Sequence, residues 1–429
     1  MSLAPPTQPR SNISPARVLV PMGLSLMLSL AGDQTLYASL AAHADVIGIS
    51  VASVGVMLGV NRLVRIPSNP LGGMLADRVG RRRPFIAGML LGALSTAIYA
   101  IAHGFWPFFI GRVAWGLAWT LLNMSALSML LDLTVTANRG RIAGFFQVAY
   151  LLGLSSMALA GGFLVDALGF RRALLLAAGL TAVGMVIAVG ALPETAPQRA
   201  SAPLYTFFLA LRPAALWRRL GNGAASSLWA GMDRRVLVAA ALNRAVNFAG
   251  NGVVMSTVGL LLRLRFGERV AVAGWQAGVS SLAGVLLSAG PFMGLLIGPL
   301  AGRVSDLRRG RWGVIAAGFV LGILGFSLLA WDEQLGLIVA GILTVYLADG
   351  MLLPTLIAQA GDLSGAGRQG QDIGLYATGG DIGSAAGPFA AYALAQAIGL
   401  RGAYALCGGI FLLGLCAALW AGRLARKES

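Results

Sequence analysis

Runs of apolar residues bounded by charged or turn-forming residues fall near 17–40, 49–71, 84–102, 107–131, 143–165 and 173–193, and, after a polar stretch, near 236–262, 272–302, 312–330, 335–358, 373–396 and 402–422. A helix needs roughly 20 mostly apolar residues to cross a bilayer, so the pattern predicts twelve transmembrane helices. Shared among twelve, the 429 residues leave about 36 for each helix and its connection. Little remains for a further globular domain. The division expected is a tail over 1–16, a six-helix bundle over 17–195, a central loop over 196–234, a second six-helix bundle over 235–423 and a tail over 424–429.

Composition agrees with that pattern. The chain is 57% hydrophobic and 11% charged, with a mean hydropathy of +0.78, whereas soluble domains carry about 25% charged residues. A soluble fold is excluded. The first 16 residues are polar and proline-rich and no small-residue cleavage site follows a short apolar stretch, so no removable signal peptide is expected. The segment PLYTFFLALRPAALWRRL from Pro203 mixes apolar and arginine residues, which suits either an interfacial amphipathic helix or an ordinary linker.

Lys and Arg number 32 against 16 acidic residues, an excess that suits nucleic acid or a membrane. Position separates the two. With the N-terminus cytoplasmic, 22 basic residues fall on inside segments and six, Arg171, Arg172, Arg263, Arg265, Arg269 and Arg401, on outside loops. This is the positive-inside pattern. It predicts a multi-pass protein of the cell (inner) membrane with both termini cytoplasmic, a lipid partner and no nucleic acid. A monomer is expected. Cys407 and Cys416 form no CxxC motif, and His43 and His103 are the only histidines. A disulfide framework, a metal site and a histidine-based catalytic triad therefore have little to draw on. HExxH, GxSxG and GxxxxGK[ST] motifs are missing as well, so neither an enzyme nor an ATP-driven pump is expected and no cofactor is implied.

The two halves repeat. IGLRGAYALCGG from Ile398 matches LGFRRALLLAAG from Leu168 at five of twelve positions, 230 residues apart, and the same offset aligns Asp362 with Asp132. A third pair, GGMLADRVGRRRP from Gly72 and GPLAGRVSDLRRG from Gly298, aligns at offset 225. Three matches in one order indicate two homologous bundles, an arrangement that places a binding site between them near mid-membrane.

The residues Gly73, Leu75, Ala76, Asp77, Arg78, Gly80, Arg81 and Arg82 spell GxLADRxGRR, and in this the chain resembles the major facilitator superfamily of secondary transporters. Arg112 and Gly116, in an RxxxG pattern, and Leu192-Pro193-Glu194-Thr195 closing the sixth span resemble two further marks of that family. The resemblance implies the all-α fold of that family, two pseudo-symmetric six-helix bundles. It also implies that Asp77, Arg81 and Asp132 hold the cytoplasmic side shut in the outward-facing state. The glycines at 73 and 80 suit a tight reversal, and Asp77 is placed to face the positive end of a neighbouring helix. Two departures stand out. The second copy has Gly302 where the first has Asp77, with its acid displaced to Asp306, so a full charge lock is not expected there. Leu151 to Leu164 lacks the proline of the motif that marks proton-driven drug antiporters.

An ionisable side chain at a helix centre costs about 2.5–3.5 kcal/mol on insertion scales. Asp33 lies about 24 Å beyond the cytoplasmic end of the first span, and Arg112 lies near the outer end of the fourth. The two share the outer third, and since the resemblance implies that the first and fourth helices both line the central cavity, they are expected to pair there, facing water. Arg244, Asp349 and Asp381 fall in the inner or middle third of the second half. With Arg62, they are the candidates for substrate binding or proton coupling, against the alternative of structural ion pairs and, for Asp381 among Gly379, Gly380 and Gly383, of close helix packing. Arg62 and Arg65 are expected on the cytoplasmic half of the second span, where one or both snorkel to the surface. For Trp115, Trp119, Tyr150 and Tyr376 packing is the commoner use. The reading preferred is proton-coupled efflux of a small organic molecule by alternating access, since a buried aspartate can exchange protons. An organic anion or metabolite carrier is the alternative the arginines favour, and a non-transporting sensor on the same fold is a third.

Overall fold

The computed structural model describes residues 13–134, 138–196, 233–272, 275–307, 311–331, 334–364 and 369–428. Most of the central loop, with the segment from Pro203, lies outside them. Among the described residues there are twelve long helices: α1 (Pro15–Ser39), α2 (Val51–Val79), α3 (Arg82–Ile101), α4 (Phe105–Asp132), α5 (Arg139–Leu168), α6 (Phe170–Ala191), α7 (Arg234–Phe266), α8 (Val279–Leu307), α9 (Arg311–Trp331), α10 (Leu335–Leu363), α11 (369–398) and α12 (400–428). Ten segments of the described residues are long and apolar enough to cross a membrane. One of them holds both α11 and α12. The remaining helix is α2, whose Arg62, Arg65, Asp77 and Arg78 lower its apolarity. The chain is a multi-pass membrane protein.

Helix ends follow local chemistry. Gly80 (φ 92°) and Gly399 (φ 75°) take the left-handed conformation that breaks α2 from α3 and α11 from α12, which a residue with a Cβ adopts only under strain. The Asp233 side chain accepts from the Arg235 backbone N–H at 2.8 Å and caps α7.

Three elements differ from the sequence expectation. Helix α2 continues eight residues past the expected end at 71, because charge marks the edge of an apolar run and not the end of a helix. Its centre therefore falls at Arg65, and Arg62 and Arg65 sit at mid-helix instead of near the surface. Residues 272–278, expected in the eighth span, belong mostly to a β-hairpin, Arg269–Val272 with Trp275–Gly278, and α8 begins only at Val279. Within α7, Asn247–Val254 is π-helical, a one-residue widening that apolar periodicity does not register.

Within the first bundle α1 packs on α5 and α6, α4 on α2 and α3, and α3 on α6; in the second, α7 packs on α11, α8 on α10, and α9 on α10 and α12. The bundles meet through α5 against α8 and α2 against α11. Call the end that carries the turns at Gly48, Gly104, Gly169, Gly267 and Gly399 the far face, and the opposite end, where α1 begins and α12 finishes, the terminal face. The bundles close on the far half. A Cβ on Gly55 would lie 2.7 Å from the Pro388 carbonyl, on Gly162 2.2 Å from that of Ser280, and on Gly284 2.5 Å from that of Ala158. On the terminal halves of the same four helices, Gly73, Gly144, Gly302 and Gly374 have no such neighbour within 4 Å. The small residues thus let backbones touch at one face while the helices part toward the other.

Candidate functional site

Asp33 of α1 and Arg112 of α4 form an ion pair of 2.7 Å, with side chains 7% and 0% exposed. Arg112 Nε also donates to the Met57 carbonyl of α2 at 2.6 Å, and its guanidinium lies 5.7 Å from the Tyr99 ring centre. Three helices are tied through one side chain. A buried guanidinium requires such compensation, because desolvation without a partner is costly.

Asp33 borders a chamber of about 190 Å³ at mid-helix depth between the bundles. Arg62 and Arg65 of α2 project into it, faced by Asn247 and Asn251 of the π-helical stretch and by Asp381 and Ser384 of α11. Arg62 spans the bundles, donating to the carbonyls of Asn251 (2.8 Å) and Ser384 (3.2 Å) while its guanidinium lies 5.3 Å from the Tyr37 ring centre. Arg65 lies 5.1 Å from the Trp119 ring centre, and its Nε is buried with no hydrogen-bond partner. Neither arginine snorkels.

A second chamber of about 620 Å³ adjoins the first and shares Gln34, Tyr150, Leu154, Asn251 and Met255 with it. Its walls are α5, α8 and α10, largely apolar, with Asp349 as its one carboxylate. Asp349 lies against Gly250, where a Cβ would come 2.0 Å from Oδ2, while Oδ1 is buried without a partner. Arg244 lies elsewhere. It is exposed on α7 and lines neither chamber, lying about one turn toward the terminal face from Asn247, where α7 first reaches the smaller one.

The loop motif builds a second cluster at the terminal face, wholly within the first bundle. Arg81, 3% exposed, binds Asp77 at 2.9 Å and Asp132 at 3.1 Å, and Thr195 donates to Asp132 at 3.0 Å. Glu194 accepts from the backbone N–H groups of Arg81 (2.9 Å) and Arg82 (3.0 Å) at the start of α3, where a carboxylate meets the unpaired donors and the positive end of the dipole. The Arg82 side chain donates to the Val189 carbonyl. Asp77 is 63% exposed, Gly73 has open space at its Cβ position, and Arg78 follows Asp77 in the last turn of α2. The expectation that the second half lacks a full charge lock is corrected: Arg311 binds Asp306 at 2.9 Å and Asp362 at 2.6 Å. Arg311 and Asp362 stand 230 residues after Arg81 and Asp132, and Asp306, one position out of that register, still reaches across the turn.

Sequence reasoning passed over Gln34, Asn247, Asn251 and Ser384. A signal existed in ALNRAVNFAGN, which places Asn243, Asn247 and Asn251 four residues apart on one face of an apolar helix. In the structure they form a hydrogen-bonded ladder, with amide contacts of 2.9 and 3.0 Å.

The sequence profile of the Major Facilitator Superfamily matches residues 22–296 and 240–429. Over 122 residues the chain is 32% identical to the multidrug resistance protein MdtH of Cronobacter sakazakii, which is 28% of this chain and 30% of that protein. Over 148 residues it is 24% identical to the inner membrane transport protein YajR of Escherichia coli, 34% and 32% of the two chains. These matches thus span about a third or less of the curated relatives. Among solved structures, a peptide transporter POT in complex with sulfate superposes with a TM-score of 0.74 at 17% identity over 95% of this chain and 94% of that one. The human organic anion transporter MFSD10 superposes with a TM-score of 0.63 at 19% identity over 95% and 100%. At these identities the likeness is one of fold.

Proposed function

The chain belongs to the Major Facilitator Superfamily, and from that membership we propose that it is a secondary active transporter exporting a small organic molecule in exchange for protons by alternating access. The observation that carries the reading is the mid-depth chamber between the bundles, which gathers Arg62, Arg65, Asp33 and Asp381 where uncompensated charge is costly. The bundles touch on one side of that chamber and part on the other, as one of the two end states of a rocking cycle requires.

The cycle assigns roles to the chain's own residues. With the termini cytoplasmic, as the 22 to six bias of basic residues supports, the far face is outside and this form receives cargo from within. Asp33 is the coupling carboxyl: as carboxylate it holds Arg112, and on protonation it releases that guanidinium and reorganises α1, α2 and α4 together. When the far face opens, the terminal face closes, and Asp77, Arg81 and Asp132 order the ends of α2, α3 and α4 for that closure. Partial matches to proteins named for multidrug resistance support the outward direction.

The test is substrate-dependent proton movement in proteoliposomes holding a pH-sensitive dye, screened over organic cations, anions and zwitterions. Wild-type protein is expected to move protons with at least one compound, and Asp33→Asn to abolish coupled flux while retaining binding. Coupled flux at the wild-type rate in Asp33→Asn removes Asp33 from the coupling role. Cysteines replacing His43 and His103 are expected to label from outside, and labelling only from the cytoplasm reverses the orientation.

A further inference from the structure

The two chambers carry opposite unmet charges. The smaller one is lined by two guanidinium groups, Arg62 and Arg65, and two carboxylates, Asp33 and Asp381, and Asp33 is already paired with Arg112 behind it, which leaves one positive charge unmatched at the chamber. The larger chamber holds Asp349 and no basic residue, an excess of one negative charge. The hydrogen-bond inventory points the same way. Among the described residues that line either chamber, the buried side-chain polar atoms lacking a partner are Arg65 Nε and Asp349 Oδ1. A donor on the cation and an acceptor on the anion are left unpaired, one in the wall of each chamber. Native proteins rarely leave buried polar groups unmet, so each calls for an explanation, a bound ion or ligand among them. Between them run Tyr150 and Leu154, which belong to both chambers, and Leu287 and Leu353.

Resting on the transporter reading and naming its cargo, we infer that the substrate is an amphipathic zwitterion, with an anionic group and an ammonium group at opposite ends of an apolar or aromatic body. The anionic end lies at Arg65, whose guanidinium offers paired donors to a carboxylate and lies over the Trp119 ring. The body runs past Tyr150 into the apolar chamber, and the ammonium end meets Asp349. A simple anion leaves Asp349 buried and unmet; a simple cation leaves Arg65 so. Either omission is penalised more heavily than the matching contact is rewarded, so discrimination against singly charged analogues is built into the walls. Arg62 contributes field without docking, because two of its donor contacts already go to the carbonyls of Asn251 and Ser384.

The probes are para-(aminomethyl)phenylacetate, phenylacetate and benzylamine, which share an aromatic body and differ in the charges at its ends. Binding is measured by isothermal titration to the purified full chain in detergent, so that it does not depend on transport. The zwitterion is expected to bind at least about tenfold more tightly than either singly charged probe, the scale of one charged hydrogen bond. Arg65→Gln is expected to erase its advantage over benzylamine, and Asp349→Asn its advantage over phenylacetate, while Arg65→Lys retains part of the first. Variants are compared only where size-exclusion profile and helical content match wild type. Zwitterion binding no tighter than that of both singly charged probes, the absence of binding by all three included, overturns the inference. So does an advantage unchanged in both charge variants. Tight zwitterion binding without coupled flux in proteoliposomes refutes the transporter reading and leaves the cargo assignment intact; flux of a different compound class without zwitterion binding does the reverse.

Discussion

Removing the Asp33 carboxylate tests whether the Arg112 pair is the central structural tie of the first bundle. Arg112 is fully buried and Asp33 nearly so, and their 2.7 Å contact is the one carboxylate bond of that guanidinium. One terminal nitrogen of Arg112 has no partner at all, so the Met57 carbonyl and the Tyr99 ring are all that remain once Asp33 is gone. Stranding one member of a buried pair costs about 3–5 kcal/mol, whereas replacing both by neutral groups of similar size is often close to neutral. Asp33→Ala is therefore expected to lower stability by about 3–5 kcal/mol and Asp33→Asn by less, since the amide oxygen still accepts from Arg112. The Asp33→Asn, Arg112→Gln double variant is expected to recover at least about 2 kcal/mol relative to the sum of its single variants, well above the roughly 0.5 kcal/mol scatter of independent sites. The assay is a double-mutant cycle by reversible denaturation in mixed micelles, followed by tryptophan fluorescence. Additive single-variant costs refute the argument, and so does a loss below about 1 kcal/mol for Asp33→Ala.

Four further outcomes are expected. Asp166, which accepts from the Ser281 N–H at 2.6 Å across the bundle interface at the start of α8, stabilises far-face closure by about 1–2 kcal/mol; Asp166→Ala should speed far-face labelling of S280C about five- to thirtyfold, and an unchanged rate removes the latch. Gly59→Leu should give a folded protein that transports slowly and labels faster at the far face, because a Cβ there already lies 2.4 Å from the Phe389 ring; wild-type transport contradicts this. Asp132→Ala should cost about 3–5 kcal/mol and Asp362→Ala at most about 1 kcal/mol, since Arg81 and Asp132 are 3% and 5% exposed while Arg311 and Asp362 are 21% and 56% exposed; equal losses in denaturation overturn the burial argument. Asp77→Asn should lower transport without reducing the amount in the membrane, and an unaltered rate ends its gating role.

Much of this architecture is legible in the sequence because the bilayer reduces folding to one rule, that long apolar runs become helices. The same rule hides what lies between its terms. Arg62 and Arg65 read as residues of the cytoplasmic half, with Arg62 still a cavity candidate, because the apolar run stops at Leu71, while the backbone hydrogen bonds that continue α2 to Val79 leave no mark in hydropathy. Trp275–Gly278 is apolar enough to join α8, and only pairing with Arg269–Val272 makes it a strand. Arg244 illustrates the opposite error. Its place in α7 was readable, but the extent of the chamber was not, and the helix reaches the chamber wall only from Asn247 onward. The Asp33 and Arg112 contact followed from shared depth and from the cavity position that the family resemblance implies for α1 and α4, each residue being the other's simplest partner there. Asp349 had a readable depth too, yet its open oxygen depends on Gly250 of the π-helical stretch, which admits the carboxylate against α7.

The repeat makes two like bundles, and the charges make them unlike. At the terminal face both halves build an arginine between two aspartates, but the first copy is buried and braced by Thr195 and Glu194 while the second stands open to solvent. At mid-depth the order persists, with the first half carrying arginines committed to carboxylate, carbonyl and ring partners and the second half supplying Asp349 against a π-helical, glycine-bearing wall. Rocking of one bundle against the other exchanges contacts at their shared surface and leaves each bundle's interior in place, so the residues that bridge the two are the ones a change of state must rearrange. The widened turn of α7, where Arg62 docks on the Asn251 carbonyl and Asp349 lies against Gly250, is the place where the two bundles and both chambers converge, and movement there would change the far-face seal and the binding surface in one step.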